Sequence, residues 1–397
     1  MYLGIPREIM PTEHRVAALP ASVAEYRRMG FDVLVEAGAG AGVYVTDDAY
    51  RQEGAEIVGT AAELYDRADV VLKVKQPIRD PETGVHEVDH MKPGAILVAF
   101  LHPAAPESHE MVRLLKARNI KSFTLDSLPR TLSYAQVMDA LTSMSTVTGY
   151  RSVILAAAVF PRFIPTIGMA IGANPPARFL ALGSGVVGLQ AIATARRLGG
   201  AITVVDVRAE AREQATSLGA KIGGFEVPAE VALGPGGYTR ALPPEWLEKE
   251  RAELAPVLRE TDIVVASALV PHERAPVLIT EDMVREMRPG SVIIDVAVDQ
   301  GGNCALTRPG RTVEEYDVTI CGTQNIPGGL AVDATRMFAQ NMQHCVAHLF
   351  RDGRETPDVE GEIGSAMLVT ADGRIVHEGA LKAMRELEKT GVPTTSA

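Results

Sequence analysis

Cysteine is scarce: three in 397 residues, Cys304, Cys321 and Cys345, with no C-x-x-C pair among them. That number and spacing speak against a disulfide framework and for reduced thiols in a cytosolic protein. Long apolar runs are missing too, none approaching the roughly 18 residues that a membrane-spanning helix needs. The first residues, Met1-Tyr-Leu-Gly-Ile-Pro-Arg-Glu8, lack a basic segment followed by an apolar core. Neither export nor membrane insertion is expected, and the location implied is cytoplasmic. Cations are in deficit, 39 Lys and Arg against 50 Asp and Glu, for a formal charge of −11. Nucleic acid and anionic membrane are poor partners for such a chain, since both repel it at long range.

What is present is globular: 46% hydrophobic and 22% charged residues, with enough chain for two domains. Phe179-Leu-Ala-Leu-Gly183-Ser-Gly185-Val-Val-Gly188 reads as strand, tight turn and helix, the helix running on to Leu198. Gly183 permits the turn, Gly185 lets backbone approach a diphosphate, and Gly188 lets helix pack on strand, with helix N–H groups facing the phosphates. A glycine triplet alone also occurs in structural turns. Here a second apolar run, Ile202-Thr-Val-Val-Asp206, ends in an acid at the spacing where an adenine-ribose diol is gripped. Asp206 disfavours a 2′-phosphate, which points to NAD, although Arg208 stands two residues on.

Before this stretch the chain reads as an α/β unit. Strands are expected at Leu3 to Ile5, Asp32 to Glu36, Val70 to Lys75 and Ala95 to Phe100, and helices at Pro20 to Arg28 and Ala61 to Arg67. A helix over Gln136 to Phe160 crosses into the next unit. After Asp206 the pattern gives a helix from Ala209 to Leu218, a charged helix from Glu245 to Leu254 that Pro256 helps to end, and strands Asp262 to Ala266 and Ser291 to Ala297 with a helix over Leu278 to Met287 between them. A second long helix spans Val332 to Phe350. Ala366 to Thr370 and Ile375 to Val376 form a hairpin, and Leu381 to Lys389 a final helix before a frayed end at Pro393 to Ala397.

Four residues could carry chemistry. Arg15 and Lys75 sit at polar edges of apolar stretches; Arg offers a bidentate fork to a carboxylate and Lys a point charge, although each alone could be a surface cation. His102 directly follows a buried-strand pattern, suited either to proton transfer or to a hydrogen-bonded strand end. Asp299, beyond another buried strand, could hold an amine or orient water, or simply cap the turn at Gly301 and Gly302. His344 and His348, spaced i, i+4, lack partners at ligand spacing, so no metal is expected.

At these residues the chain resembles the family that unites alanine dehydrogenase with the NAD(H)-binding alpha subunit, domain I, of proton-translocating nicotinamide nucleotide transhydrogenase. The resemblance covers nearly the whole chain. Gly4-Ile-Pro-Arg-Glu8, Arg15-Val-Ala17 and Glu36-Ala-Gly-Ala-Gly-Ala-Gly42 are typical of both branches. Gln136-Val-Met-Asp139 through Arg151, Gly236-Gly-Tyr238, Ala275 to Thr280 and Gly301 to Cys304 resemble the transhydrogenase subunit, in which an Arg/Gln/Asp loop contacts nicotinamide and a partner domain and the tyrosine segment is a mobile flap. Gln136 and Asp139 match that loop; Arg130 lies one residue further upstream, and Tyr134 replaces a second arginine. Lys73-Val-Lys75, Leu101-His102, Val296-Ala-Val-Asp299 and Asn325-Ile-Pro-Gly328 resemble alanine dehydrogenase, as its substrate lysine, catalytic histidine, catalytic aspartate and cofactor turn. His272-Glu-Arg274 departs from the usual family turn.

The resemblance implies an α/β fold of two doubly wound parallel-sheet, Rossmann-like domains joined by long helices. Residues 1–140 with 335–397 form the substrate domain and residues 141–334 the NAD-binding domain. The implied activity is NAD-dependent interconversion of a small 2-amino acid and its 2-oxo acid. In it Arg15 and Lys75 bind substrate, and His102 and Asp299 are catalytic. Gly183, Gly185, Val186, Val187, Gly188, Asp206, Val207, Arg208, Gln136, Asp139, Ala268, Leu269 and Asn325 bind the cofactor. The alternative is the alpha subunit of the transhydrogenase, working with membrane subunits. Either branch implies a homo-oligomer, a dimer or a hexamer.

Overall fold

A computed structural model describes residues 1–224, 226–234, 239–270, 274–351 and 356–390, without the side chains of 389 and 390. The flap at 236–238, residues 272 and 273 of the departing turn, and the terminal 393–397 lie outside the described residues. The chain divides into two compact units, residues 1–144 with 328–397 and residues 145–327.

The first unit opens with strands β1 (Tyr2–Ile5), β2 (Asp32–Glu36), β3 (Glu56–Val58), β4 (Val70–Leu72), β5 (Ile96–Ala99) and β6 (Lys121–Thr124). They are short and apolar, and those at the centre of the sheet are wholly buried, as strands covered by helices on both faces must be. Pairs β1–β2, β1–β4, β4–β5 and β5–β6 are all parallel. The sheet order β6-β5-β4-β1-β2-β3 reverses direction between β1 and β4, the switch point of a doubly wound sheet.

The long helix starts at Ala140 and ends at Val159, four residues later than its periodicity suggests at the start. Asp139 sets that start: its Oδ1 accepts the Thr142 N–H at 2.8 Å, an N-cap that apolar spacing does not register. Gln136 therefore sits in a preceding 3-10 turn, Ser133–Met138.

In the second unit a hairpin, β7 (Ile167–Met169) and β8 (Gly172–Asn174), precedes β9 (Arg178–Leu182), β10 (Ala201–Val205), β11 (Lys221–Ile222), β12 (Ile263–Ala266), β13 (Val292–Asp295), β14 (Thr312–Glu315) and β15 (Val318–Cys321). The order β11-β10-β9-β12-β13-β15-β14 is Rossmann-like, with its switch point between β9 and β12 and only β14 antiparallel. The charged helix runs Pro244–Arg259 and passes through Pro256 rather than ending before it. Proline inside a helix costs about 3 kcal/mol, and Leu254 and Leu258, both fully buried on either side of it, offset that cost. The helix expected over Leu278 to Met287 is only Glu281–Arg285. It begins where the Thr280 hydroxyl accepts the Met283 N–H.

The chain re-enters the first unit at residue 328, ahead of the helix Ala331–Leu349. The tail adds β16 (Leu368–Ala371), antiparallel to β6, and β17 (Arg374–Ile375), then the helix Glu378–Thr390. Among the described residues no helix is long and apolar enough to cross a membrane.

Candidate active site

In the first unit, polar side chains gather where parallel strands end beside the switch point. The ladder continues past the strands proper: Lys73 N–H donates to the Val98 carbonyl at 3.1 Å and Phe100 N–H to the Val74 carbonyl at 3.2 Å. Lys75 and His102 therefore leave the sheet on adjacent extensions of β4 and β5. Glu8, just past β1, accepts the Val74 N–H at 2.6 Å and ties the third strand end to them.

Beneath lies a buried ionic floor. Lys73 Nζ stands 2.8 Å from Glu87 and 3.3 Å from Glu8, and the Tyr65 hydroxyl donates to Glu87 at 2.6 Å. Burial pushes the Glu8 carboxyl up, with Lys73 opposing. Burial disfavours the Lys73 charge as well, but two carboxylates outweigh it and hold the ammonium.

Arg15 is buried, and Glu13 accounts for it: Nε and Nη2 donate to the two Glu13 oxygens at 2.7 and 2.5 Å, while Nη1 lies 2.9 Å from Met144 Sδ. Burial opposes the Glu13 charge, yet the hydrogen bonds and charge of Arg15, helped by Lys75, hold its carboxyl below the usual range. Lys75 and Arg15 thus act on one carboxylate. Gly42 in the glycine-rich loop permits this packing, since a Cβ there would come within 2.2 Å of the His14 carbonyl oxygen.

His102 has a partner that the sequence did not reveal. Its Nδ1 is 2.8 Å from Asp126 Oδ1, in the turn after β6. Burial would raise Asp126, but the charge and hydrogen bonds of His102, with the Thr124 hydroxyl, lower it to about 2. The segment Ile120-Lys-Ser-Phe-Thr-Leu125 is too polar to read as a buried strand, so its strand-end acid gave little signal.

In the second unit Gly183 has φ +88° and abuts the Ser267–Ala268 backbone, and a Cβ on Gly188 would meet the Gly183 carbonyl at 2.0 Å. Gly185 is the N-cap of the helix Val186–Arg197, supplies no side-chain cap, and has open space where a Cβ would project. Val186 and Val187 form the first turn. Uncapped N–H groups beside an open cradle fit a diphosphate. Asp206 ends β10; its Oδ2 accepts the Ser184 N–H at 2.7 Å and Arg208 Nη2 at 2.8 Å, and its Oδ1 accepts the Arg208 N–H at 2.9 Å. Arg208 is thereby committed to Asp206, with Val207 between them.

Past β12, Asn303 clamps Ala268 from both sides, Oδ1 accepting its N–H at 3.0 Å and Nδ2 donating to its carbonyl at 2.8 Å, beside half-exposed Leu269. Asn303 was legible only as part of Gly301 to Cys304. The turn after β13 is held by Asp295, not Asp299. Asp295 accepts the N–H groups of Ala297, Asn303 and Cys304 and the Thr307 hydroxyl. Asp299 is exposed and accepts Gln324 Nε2 at 2.7 Å, next to Asn325 with φ +47°. The capping alternative for Asp299 therefore falls to another residue.

The loop ahead of the long helix differs from its sequence outline. Asp139 is buried, capping Thr142 and paired with Arg130 Nε at 2.9 Å, while Gln136 is exposed. His348 stacks on Tyr134, and among the described residues no group of His, Cys, Asp or Glu could hold a metal ion.

Two doubly wound units, one with polar side chains at its switch point and the other with a dinucleotide fingerprint at its own, define a class of two-domain Rossmann-like proteins. Within that class the chain belongs to the alanine dehydrogenase/PNT family: residues 4–148 match its N-terminal domain and residues 152–378 its C-terminal domain. It is 43% identical over 380 residues to the first of the chains that make up the NAD(P) transhydrogenase alpha subunit of Rhodospirillum rubrum, covering 95% of this chain and 98% of that one. It is 30% identical over 394 residues to alanine dehydrogenase of Methanococcus maripaludis, covering 96% of each. The solved transhydrogenase from Sinorhizobium meliloti superposes with a TM-score of 0.80 at 34% identity, over 95% of this chain and 99% of that one.

Proposed function

We propose that the protein is an NAD-dependent oxidoreductase that interconverts a small 2-amino acid and its 2-oxo acid. In the oxidative direction the amino acid, NAD⁺ and water give the oxo acid, NADH, ammonium and a proton. The observation that carries this reading is the His102–Asp126 pair on the strand end beside Lys75 and Arg15. A protein that only passes hydride between nucleotides has no use for a proton-transfer pair beside fixed cations.

Bound NAD supplies the hydride acceptor and, in reverse, the donor. Lys75 and the Nη1 edge of Arg15 hold the substrate carboxylate, with Glu13 fixing Arg15 from behind. His102 moves protons on the substrate nitrogen or oxygen, and Asp299 steadies the ammonium or the attacking water. Gly183, Gly185, Val186, Val187 and Gly188 cradle the diphosphate, and Asp206 with Val207 and Arg208 takes the ribose. Ala268, Leu269, Asn325, Gln136 and Asp139 line the rest of the cofactor site. Buried Glu250 lies near enough to add to the charge on Asp206, so a 2′-phosphate meets two acids and an arginine already neutralised, which favours NAD over NADP. Purified protein given NADH, ammonia and a panel of 2-oxo acids should oxidise NADH. Silence across the panel, with NADH binding intact, would remove the reading.

A second reading has its own support: 43% identity to a transhydrogenase alpha chain favours, on overall likeness, a nucleotide-binding subunit of a proton pump. It requires that added NADP(H)-binding and membrane subunits restore nucleotide-to-nucleotide hydride transfer. In either case we propose self-association through the second unit, where Ile171 is 91% exposed beside Phe163 and Met169.

A further inference from the structure

We propose that Asp126 is the positioning residue of this site: it fixes the tautomer of His102, so that Nε2 is the atom that gives and takes protons. The assignment of substrate rests on the proposed function; the tautomer does not.

One carboxylate holds both the ring and its backbone. Oδ1 faces His102 Nδ1 at 2.8 Å. Oδ2 accepts the His102 N–H at 2.8 Å and the Leu101 N–H at 3.1 Å, and also the Thr124 hydroxyl. An ionised carboxylate only accepts, so Nδ1 must be the donor and the neutral ring keeps its lone pair on Nε2. Asp126 remains ionised throughout the neutral range, with its carboxyl lowered to about 2.

The backbone contacts have a second consequence. His102 has φ +45°, a left-handed bend that non-glycine residues rarely take, and two successive N–H groups aimed at one oxygen stabilise it. The ring lies parallel to Phe100, interplanar angle 2°, on the strand before it. Asp126 is itself braced from the tail. His377 Nδ1 accepts the Ala380 N–H at 3.1 Å, so its Nε2 carries the proton and donates to Ser127 Oγ at 2.9 Å, one residue beyond Asp126. Bend, tautomer and brace converge on the same carboxylate.

Asn at position 126 is the discriminating change. The N–H groups of Leu101 and His102 need its one carbonyl oxygen, which turns the amide NH₂ towards Nδ1. Nδ1 must then accept, and the ring proton moves to Nε2. The experiment is long-range ¹H–¹⁵N correlation NMR on full-length protein with ¹⁵N-labelled histidine, at a pH where the ring is neutral, with His102→Gln used to assign the signal. Wild type should carry the proton on Nδ1 and Asp126→Asn on Nε2. Turnover of the oxo acid found active in the NADH screen should fall about 10²- to 10⁴-fold in kcat for Asp126→Asn. Its KM should stay within about threefold, and Asp126→Glu should restore the tautomer and some of the rate. A wild-type ring protonated on Nε2, or an Asp126→Asn ring still protonated on Nδ1, overturns the proposal. The wild-type tautomer decides even if the asparagine variant fails to fold. Wild type with the Nδ1 proton but no turnover of any 2-oxo acid supports the positioning role while ending the proposed function.

Discussion

Gly188→Ala tests the nucleotide turn most sharply, because two effects of opposite sign meet there. Alanine in a helix is favoured over glycine by about 1 kcal/mol, so without a contact the substitution would stabilise. The contact decides otherwise. A Cβ on Gly188 would stand 2.0 Å from the Gly183 carbonyl oxygen and 2.9 Å from its carbon, about 1.4 Å short of the 3.4 Å where ordinary contact begins. The neighbour is backbone and cannot swing aside, so the helix Val186–Arg197 must lift from β9. Overpacking of this kind costs about 1–3 kcal/mol or more. The net expectation is a loss of roughly 1–2 kcal/mol, or about 3–6 °C in Tm. The same displacement shifts the turn's N–H groups, so NADH should bind at least about tenfold more weakly, or 1.4 kcal/mol. Thermal unfolding and a fluorescence titration with NADH read both. A variant with equal or higher Tm and unchanged NADH affinity would refute the packing argument.

Two other expectations concern charge and assembly. Burial and the neighbouring Asp206 raise Glu250 from 4.5 to about 7, so between those values the folded protein keeps a proton that the unfolded chain has lost; stability therefore falls as pH rises through that window. Glu250→Gln should remove a destabilisation of about 3 kcal/mol at pH 8 and change little at pH 4.5; equal gains at both, by denaturant unfolding, would disprove the assignment. Ile171→Asp places a charge on the most exposed apolar side chain of the β7–β8 hairpin and should lower the association state in sedimentation velocity. An unchanged distribution would move the self-association surface elsewhere.

The fold was legible wherever apolar runs were continuous. β4, β5, β9, β12 and β13 stand inside the expected ranges because each is buried among helices and carries no polar alternation. Lys121–Thr124, with Lys and Ser in a short strand, gave no such pattern, and β14 and β15 escaped for the same reason of length and polarity. Helix ends were misjudged where one side chain decides them: Asp139 as a cap delays the long helix, and buried Leu258 carries another past Pro256. At the site, individual residues could be named from strand ends, but their partners could not. Glu13 stands two residues before Arg15 yet looked like any surface acid, and Asp126 became visible only when β6 was placed beside β5. Parallel strands bring together residues far apart in sequence, and only the strand order shows which strand ends are neighbours.

The most direct measurement follows the hydride itself. Protein is supplied with NADH carrying deuterium at C4 of the nicotinamide, ammonia and the 2-oxo acid that the screen selects, and the products are weighed by mass spectrometry. The account predicts a 2-amino acid one mass unit heavy, its deuterium on the α-carbon, formed only when ammonia is present. Unlabelled oxo acid left unchanged, with deuterium moving only onto a second nicotinamide nucleotide, would contradict it.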